Sequence, residues 1–203
     1  MKLNKGISIS IFLLNTVNLL HCIGQDTSMK LENCARLYQE KKGNRLEALN
    51  GLRACVTGIP LPGFNASSIT GSNVTSSDIK GTVTLINFWF IGCPPCITEL
   101  PQLNELYGSL GEKGFKLISF TPDSHEEIKG FMQKHEILFP VVASSGVLIE
   151  KTFKINSFGY PTNILINKKG EIVRFTVGGT TDDSQSKVDF AELKKIVLKE
   201  LQP

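Results

Sequence analysis

The chain has 203 residues, 41% hydrophobic and 20% charged, which suits one globular domain with a small extension. Its 22 basic and 19 acidic side chains leave a formal charge of +3, with no basic tract of the kind a nucleic-acid partner demands. Five cysteines and three histidines are the residues most able to carry chemistry.

Residues 1–24 read as a targeting segment. Lys2 and Lys5 precede an apolar stretch from Ile7 to Leu20, and Cys22-Ile23-Gly24 offers small residues for cleavage before Gln25. Ser8, Ser10, Asn15, Thr16 and Asn18 interrupt the apolar stretch, so a spanning helix is a poor second reading. Lipid attachment at Cys22 is a third, although His21 fits the usual small-residue motif badly. The expected address is therefore outside the cytoplasm, in the periplasm or cell envelope. Loss of the leader removes two lysines and leaves 20 basic against 19 acidic residues, a charge of +1. It also leaves Cys34, Cys55, Cys93 and Cys96, an even count that permits two disulfides by three alternative pairings.

Between Met29 and Val56, the residues Leu31, Cys34 and Tyr38, then Leu46, Leu49, Leu52 and Val56, recur at helical steps, with Gly43-Asn44 between the two sets. This predicts a helical hairpin forming an extension over 25–56. A Cys34–Cys55 bridge would staple its open end and stabilise the fold by about 3 kcal/mol in the chain-entropy model. Nothing in sequence near either cysteine lowers a thiol pKa, which favours a structural bond over a redox sensor. Gly58 to Lys80 reads as loop with short strands; Asn65-Ala-Ser and Asn73-Val-Thr match a glycosylation pattern that is common by chance.

The run Val83 to Phe90 reads as a buried strand, and Cys93-Pro94-Pro95-Cys96 follows directly at the predicted start of a helix from about Pro95 to Glu112. Two thiols three positions apart across a first helical turn can form a disulfide and reopen it. Backbone N–H groups at that helix end favour the Cys93 thiolate, the nucleophile of exchange. This makes Cys93–Cys96 the natural pair and leaves Cys34 with Cys55. A zinc site would want a second Cys/His pair at ligand spacing; His125 and His135 assemble no such motif and read as helix-surface residues. No metal and no cofactor is expected.

A regular alternation follows: strand Phe115–Phe120, a helix over about Ser124–His135, a strand around Phe139–Ala143 and a short helix at about 146–153. Strand Thr162–Asn167 and strand Glu171–Val177 flank a Lys168-Lys169-Gly170 turn, and a helix from Asp189 to Leu201 closes the chain. The first β-α-β unit must be parallel and the last two strands antiparallel. The expected fold is α/β, with a central mixed sheet flanked by helices over 57–203.

This order, with Trp89 before the CxxC and Tyr160-Pro161-Thr162 after it, resembles the thioredoxin fold, and more narrowly the TlpA/ResA-like thiol-disulfide oxidoreductases. The matching residues are Leu61-Pro-Gly-Phe64, Ile79 to Trp89, Cys93 to Cys96, Glu99-Leu-Pro101, Phe139-Pro-Val-Val142, Tyr160 to Thr162 and Ile166 to Gly170. The resemblance implies that Cys93 is an exposed attacking thiol and Cys96 the buried resolving one. It implies that Pro161 is a cis-proline facing the disulfide, with Tyr160 before it presenting backbone groups to a bound peptide. Pro94 and Pro95 remove two backbone donors near the sulfurs and should help set the reduction potential. Glu99 lies on the same helix face as Cys96 and would accept its proton, where thioredoxins use a buried Asp at the position held here by Asn87. Relatives often carry an aromatic residue where this chain has Gly92, which should open the surface beside Cys93. Trp89 reads as core packing, and Pro101 as a structural proline inside the helix.

The resemblance implies a monomeric enzyme that reduces disulfides of client proteins, such as a cytochrome c precursor, with electrons from a membrane thiol transporter and no nucleic-acid partner. An oxidase or isomerase would use the same residues at a higher potential. A peroxidase would carry a Thr-x-x-Cys site, which is absent. A copper-binding assembly protein on this fold would want CxxxC and a placed His.

Overall fold

The computed structural model describes residues 27–202. The leader, its cleavage point and Cys22 lie outside the described residues.

Helix α1 runs over 27–40, and α2, Arg45–Val56, starts where the Asn44 side chain accepts from the Glu47 amide at 3.3 Å. Together they form the expected hairpin. Leu31, Ala35, Tyr38, Ala48, Leu52 and Val56 turn inward, while Leu46 is 71% exposed. The buried arc of α2 is centred on Ala48, Leu52 and Val56, and Leu46 falls off its edge. Cys34 and Cys55 are disulfide-bonded across the hairpin, with Cα atoms 5.7 Å apart.

Strands β1 (Asn65–Ser67) and β2 (Asn73–Thr75) pair as a small antiparallel ribbon. The main sheet holds β3 (Val83–Phe88), β4 (Phe115–Phe120), β5 (Val141–Val142), β6 (Thr162–Ile166) and β7 (Ile172–Val177) in the order β5-β4-β3-β6-β7. β3 is parallel to β4 and antiparallel to β6, and β6 is antiparallel to β7. Every residue of β3 is buried because neighbours cover both its edges and both its faces. Strand β5 is shorter than the predicted 139–143: Pro140 has no N–H to give a ladder and joins only through its carbonyl, which accepts from Ser119.

The two faces bury separate clusters. One holds Leu85, Trp89, both active-motif cysteines, Leu103, Leu117, Leu165 and Phe190; it is covered by α3 (Pro94–Leu110), α4 (His125–Met132) and α5 (Asp183–Leu201). The other packs Ile86, Phe88, Phe120, Ile164 and Phe175 against Leu31, Leu52 and Val56 of the hairpin and against Phe153 and Phe158. Phe88 lies 5.0 Å from Phe153 and 5.6 Å from Phe120 by ring centroid, and the hairpin thus shares a core with the sheet. Helix α4 opens with a full capping box between Ser124 and Glu127. Helix α5 begins well before the predicted Asp189, because Asp182 caps it by accepting from the Ser184 and Gln185 amides. Gly170, at φ +83°, makes the left-handed turn between β6 and β7. The described residues contain no helix long and apolar enough to cross a membrane.

Candidate active site

Strand β3 ends at Phe88, and the chain turns through Phe90 to Gly92 before α3. The turn is held by two bonds: the Cys93 amide donates to the Phe90 carbonyl at 3.1 Å, and the Ile91 amide donates to Asp123 Oδ2 at 2.9 Å. Asp123 follows β4, so the two central strands together fix the loop that presents the first cysteine. Cys93 is the N-cap of α3, with Pro94 and Pro95 at the next positions. Proline is tolerated there because the first helical N–H groups have no intrahelical partner. The same feature limits the electrostatics. Of the free donors at this helix end only the Cys96 N–H remains, so Cys93 receives less anion stabilisation than an ordinary helix start would give.

Cys93 and Cys96 are disulfide-bonded, with Cα atoms 5.3 Å apart. The expectation of an exposed first thiol is corrected: Cys93 is 4% exposed and Cys96 1%. In the disulfide both sulfurs turn inward and join the cluster beneath α3.

The peptide bond between Tyr160 and Pro161 is cis. A Cβ placed on Gly179, in the loop after β7, would lie 2.9 Å from Glu99 Oε1, 3.0 Å from Pro161 Cγ and 3.4 Å from Pro95 Cβ. That loop, the cis-proline, the CxxC dipeptide and Glu99 therefore converge on one point. Tyr160 is half-buried, and burial followed by the Asp123 charge raises its phenol pKa. Its ring packs edge-on against Phe90 with centroids 5.3 Å apart.

Glu99 lies one turn along α3 and is 6% exposed. Burial, and secondarily the Asp189 carboxylate, push its pKa up to about 7, against a hydrogen bond from Asn163 that lowers it. Asn163 Nδ2 donates to Glu99 Oε2 at 3.0 Å, and Asn87 Nδ2 donates to Asn163 Oδ1 at 2.9 Å. Glu99 and Asn163 also floor a cavity of about 290 Å³ walled by Arg53 of α2, Arg174 and Thr176 of β7 and Ser186 and Asp189 of α5.

Gly92 is exposed and lines an open surface hollow with Ile91, Pro94, Ile97 and Thr98, bounded on one side by Phe90. Its missing Cβ would lie 3.1 Å from Phe90 Cε2, so the Phe90 ring takes the adjoining space. Trp89 is fully buried against Phe131, 5.4 Å away, as a core residue. His125 is partly exposed and His135 exposed, stacked on Phe131. Among the described residues no three His, Cys, Asp or Glu side chains converge as metal ligands would.

Sequence reasoning missed Asp123, Asn163 and Phe90. The signal for Asn163 was present: two asparagines stand in otherwise apolar strands, and the register sets Asn87 directly opposite Asn163. Asp123 carried no sequence signal, and Phe90 read as strand.

The fold and its similarities define a thioredoxin-fold thiol-disulfide oxidoreductase. The chain belongs to the AhpC/TSA family, whose sequence profile matches residues 57–175. It is 33% identical over 123 residues to the thiol-disulfide oxidoreductase ResA of Bacillus cereus, covering 60% of this chain and 70% of that one. It is 30% identical over 122 residues to sporulation thiol-disulfide oxidoreductase A of Bacillus subtilis, covering 58% and 72%. Among solved structures, a proposed thiol:disulfide interchange protein DsbE from Chlorobium tepidum superposes with a TM-score of 0.62 at 26% identity, covering 72% of this chain and 98% of that one. The α1–α2 hairpin precedes the matched family region.

Proposed function

We propose that the chain is an exported reductase of protein disulfides that turns over Cys93–Cys96. In the dithiol form the Cys93 thiolate attacks a client disulfide; a Cys93–client bond forms and one client thiolate leaves. Cys96 then gives its proton to Glu99 and attacks Cys93 Sγ. The mixed disulfide breaks, Cys93–Cys96 forms, and the client leaves with both electrons. The observation that carries this reading is the buried Glu99 carboxyl on the CxxC helix, titrating near neutrality where a buried thiol needs an acceptor.

The reductive direction is supported by Pro94 and Pro95. Each removes a donor that would stabilise the Cys93 thiolate, and a less stabilised dithiol is the better electron donor. Tyr160, beside the cis bond to Pro161, and Gly92 flank the sulfurs and would line the groove for the client chain. Export is supported by the leader-like 1–24 segment and by the Cys34–Cys55 bond, a type of bond kept in oxidising compartments. On this reading 25–56 is a helical extension docked on a 57–203 domain. The protein acts as a monomer without a cofactor and is recharged by a membrane thiol transporter. Cytochrome c precursors are its clients, and Cys22 is the point of attachment if the leader is lipidated.

Replacing Cys96 with Ser tests the reading. The variant should accumulate covalent Cys93–client adducts that dithiothreitol releases; absence of adducts under conditions where the wild type reduces the same client would contradict it.

A further inference from the structure

Among the described residues, Glu99 accepts a hydrogen bond at one oxygen. Asn163 donates to Oε2, while Oε1 lies at the point shared by Gly179, Pro161 and Pro95. An amide has distinct donor and acceptor ends, and the bond from Asn87 to Asn163 Oδ1 fixes which end Asn163 turns to the carboxyl. Both asparagines are buried, at 1% and 5% exposure, and they are cross-strand partners in the β3–β6 register. The chain of donors therefore runs one way, from Asn87 through Asn163 to Glu99.

We propose that Asn163 is a positioning residue that reserves Oε2 as a hydrogen-bond acceptor and commits Glu99 to exchange its proton at Oε1, beneath Gly179 and beside Pro95 and Pro161. This rests on the reading of Glu99 as the acceptor of the Cys96 proton. The oxygen left free is the one at the corner shared with the CxxC dipeptide and the cis-proline. The thiol proton is thus delivered to Oε1 without breaking the bond at Oε2. Gly179 keeps that corner clear, since a methyl there would stand 2.9 Å from Oε1. The other charged groups in the same cavity are Asp189 and Glu192 of α5, Arg53 of α2 and Arg174 of β7. None of them is bonded to Glu99, whereas Asn163 is.

The test uses the full chain with two readouts: the Glu99 carboxyl titration by carbon NMR in the disulfide form, and the pH profile of mixed-disulfide resolution. Asn163→Leu removes the donor, with the smaller Asn163→Val as a second variant should the first not fold. Both readouts should move up together, by roughly one pH unit from the wild-type value. Gly179→Ala should slow resolution about tenfold by crowding Oε1, which the added methyl would meet at 2.9 Å. A merely structural Asn163 would lower stability without moving either midpoint. If neither midpoint moves in the Asn163 variants while Glu99→Gln abolishes the pH dependence, the positioning role is overturned and the acceptor reading stands. If Glu99→Gln itself leaves the profile unchanged, both fail.

Discussion

The two disulfides of this protein are a controlled comparison. Exposure does not favour the CxxC pair: Cys34 is 1% exposed and Cys55 partly exposed, whereas Cys93 and Cys96 are 4% and 1%. What differs is the company. Cys34 and Cys55 sit inside helices whose backbone donors are spent on the preceding turn, and they close a sequence separation of 21 residues. Cys93 caps a helix, closes a separation of 3, and shares its helix with a buried carboxyl opposite a cis-proline. One bond therefore restrains the unfolded chain, and the other sits beside a helix end and a buried carboxyl. The lesson is that neighbours, more than accessibility, set the two disulfides apart.

Substitutions can break this contrast. The largest effect belongs to Cys93→Ser, which should remove exchange activity altogether, at least a thousandfold, in an insulin-reduction or client-reduction assay. Replacing Cys34 and Cys55 together with serine should leave turnover within about twofold but lower unfolding free energy by about 3 kcal/mol, read by urea denaturation. Activity loss at the hairpin pair, or no stability loss there, would erase the distinction.

Glu99→Gln should have two signatures. Resolution of the mixed disulfide should slow about ten- to a hundredfold at pH 7. In the disulfide form the folded pKa of Glu99 is raised from 4.5 to about 7, so the folded state binds this proton more tightly than the unfolded chain. The stability this group confers is complete below about pH 4.5 and is lost as pH rises through about 7, on the order of 3 kcal/mol in all. Glutamine should abolish that slope and leave the variant more stable than wild type at pH 8.

Smaller effects sharpen the picture. Pro95→Ala restores one N–H donor beside Cys93 and should raise the reduction potential by roughly 10 to 30 mV, read in a thiol redox buffer. Gly92→Ala places a methyl 3.1 Å from the Phe90 ring, which must shift slightly against Tyr160, and should cost up to about 1 kcal/mol of stability and alter KM for clients more than kcat.

Much of this was legible in the sequence. The β-branched run before Cys93, the punctuating prolines and the Lys168-Lys169-Gly170 turn placed the central strands and the mixed sheet, because period and turn chemistry are local signals. The CxxC pair was read from its place between strand and helix, and Glu99 from the resemblance to TlpA/ResA-like proteins together with its helix face. What stayed hidden depended on tertiary register. The bond from Asn163 to Glu99 needs β6 beside β3, and the grip of Asp123 on Ile91 needs the end of β4 beside the end of β3. Helix spacing gave the inward faces of α1 and α2 apart from Leu46, but not the hairpin's place on the sheet beside β7, where Arg53 walls the cavity at Glu99.

The most direct measurement is the equilibrium reduction potential of each disulfide separately, in glutathione and dithiothreitol buffers, with alkylation and mass spectrometry to assign the pairs. Cys93–Cys96 should equilibrate near about −270 mV, and Cys34–Cys55 should resist reduction below about −300 mV. A value near about −120 mV for Cys93–Cys96 would make the protein an oxidant, and equal potentials for the two pairs would contradict the division of labour between them.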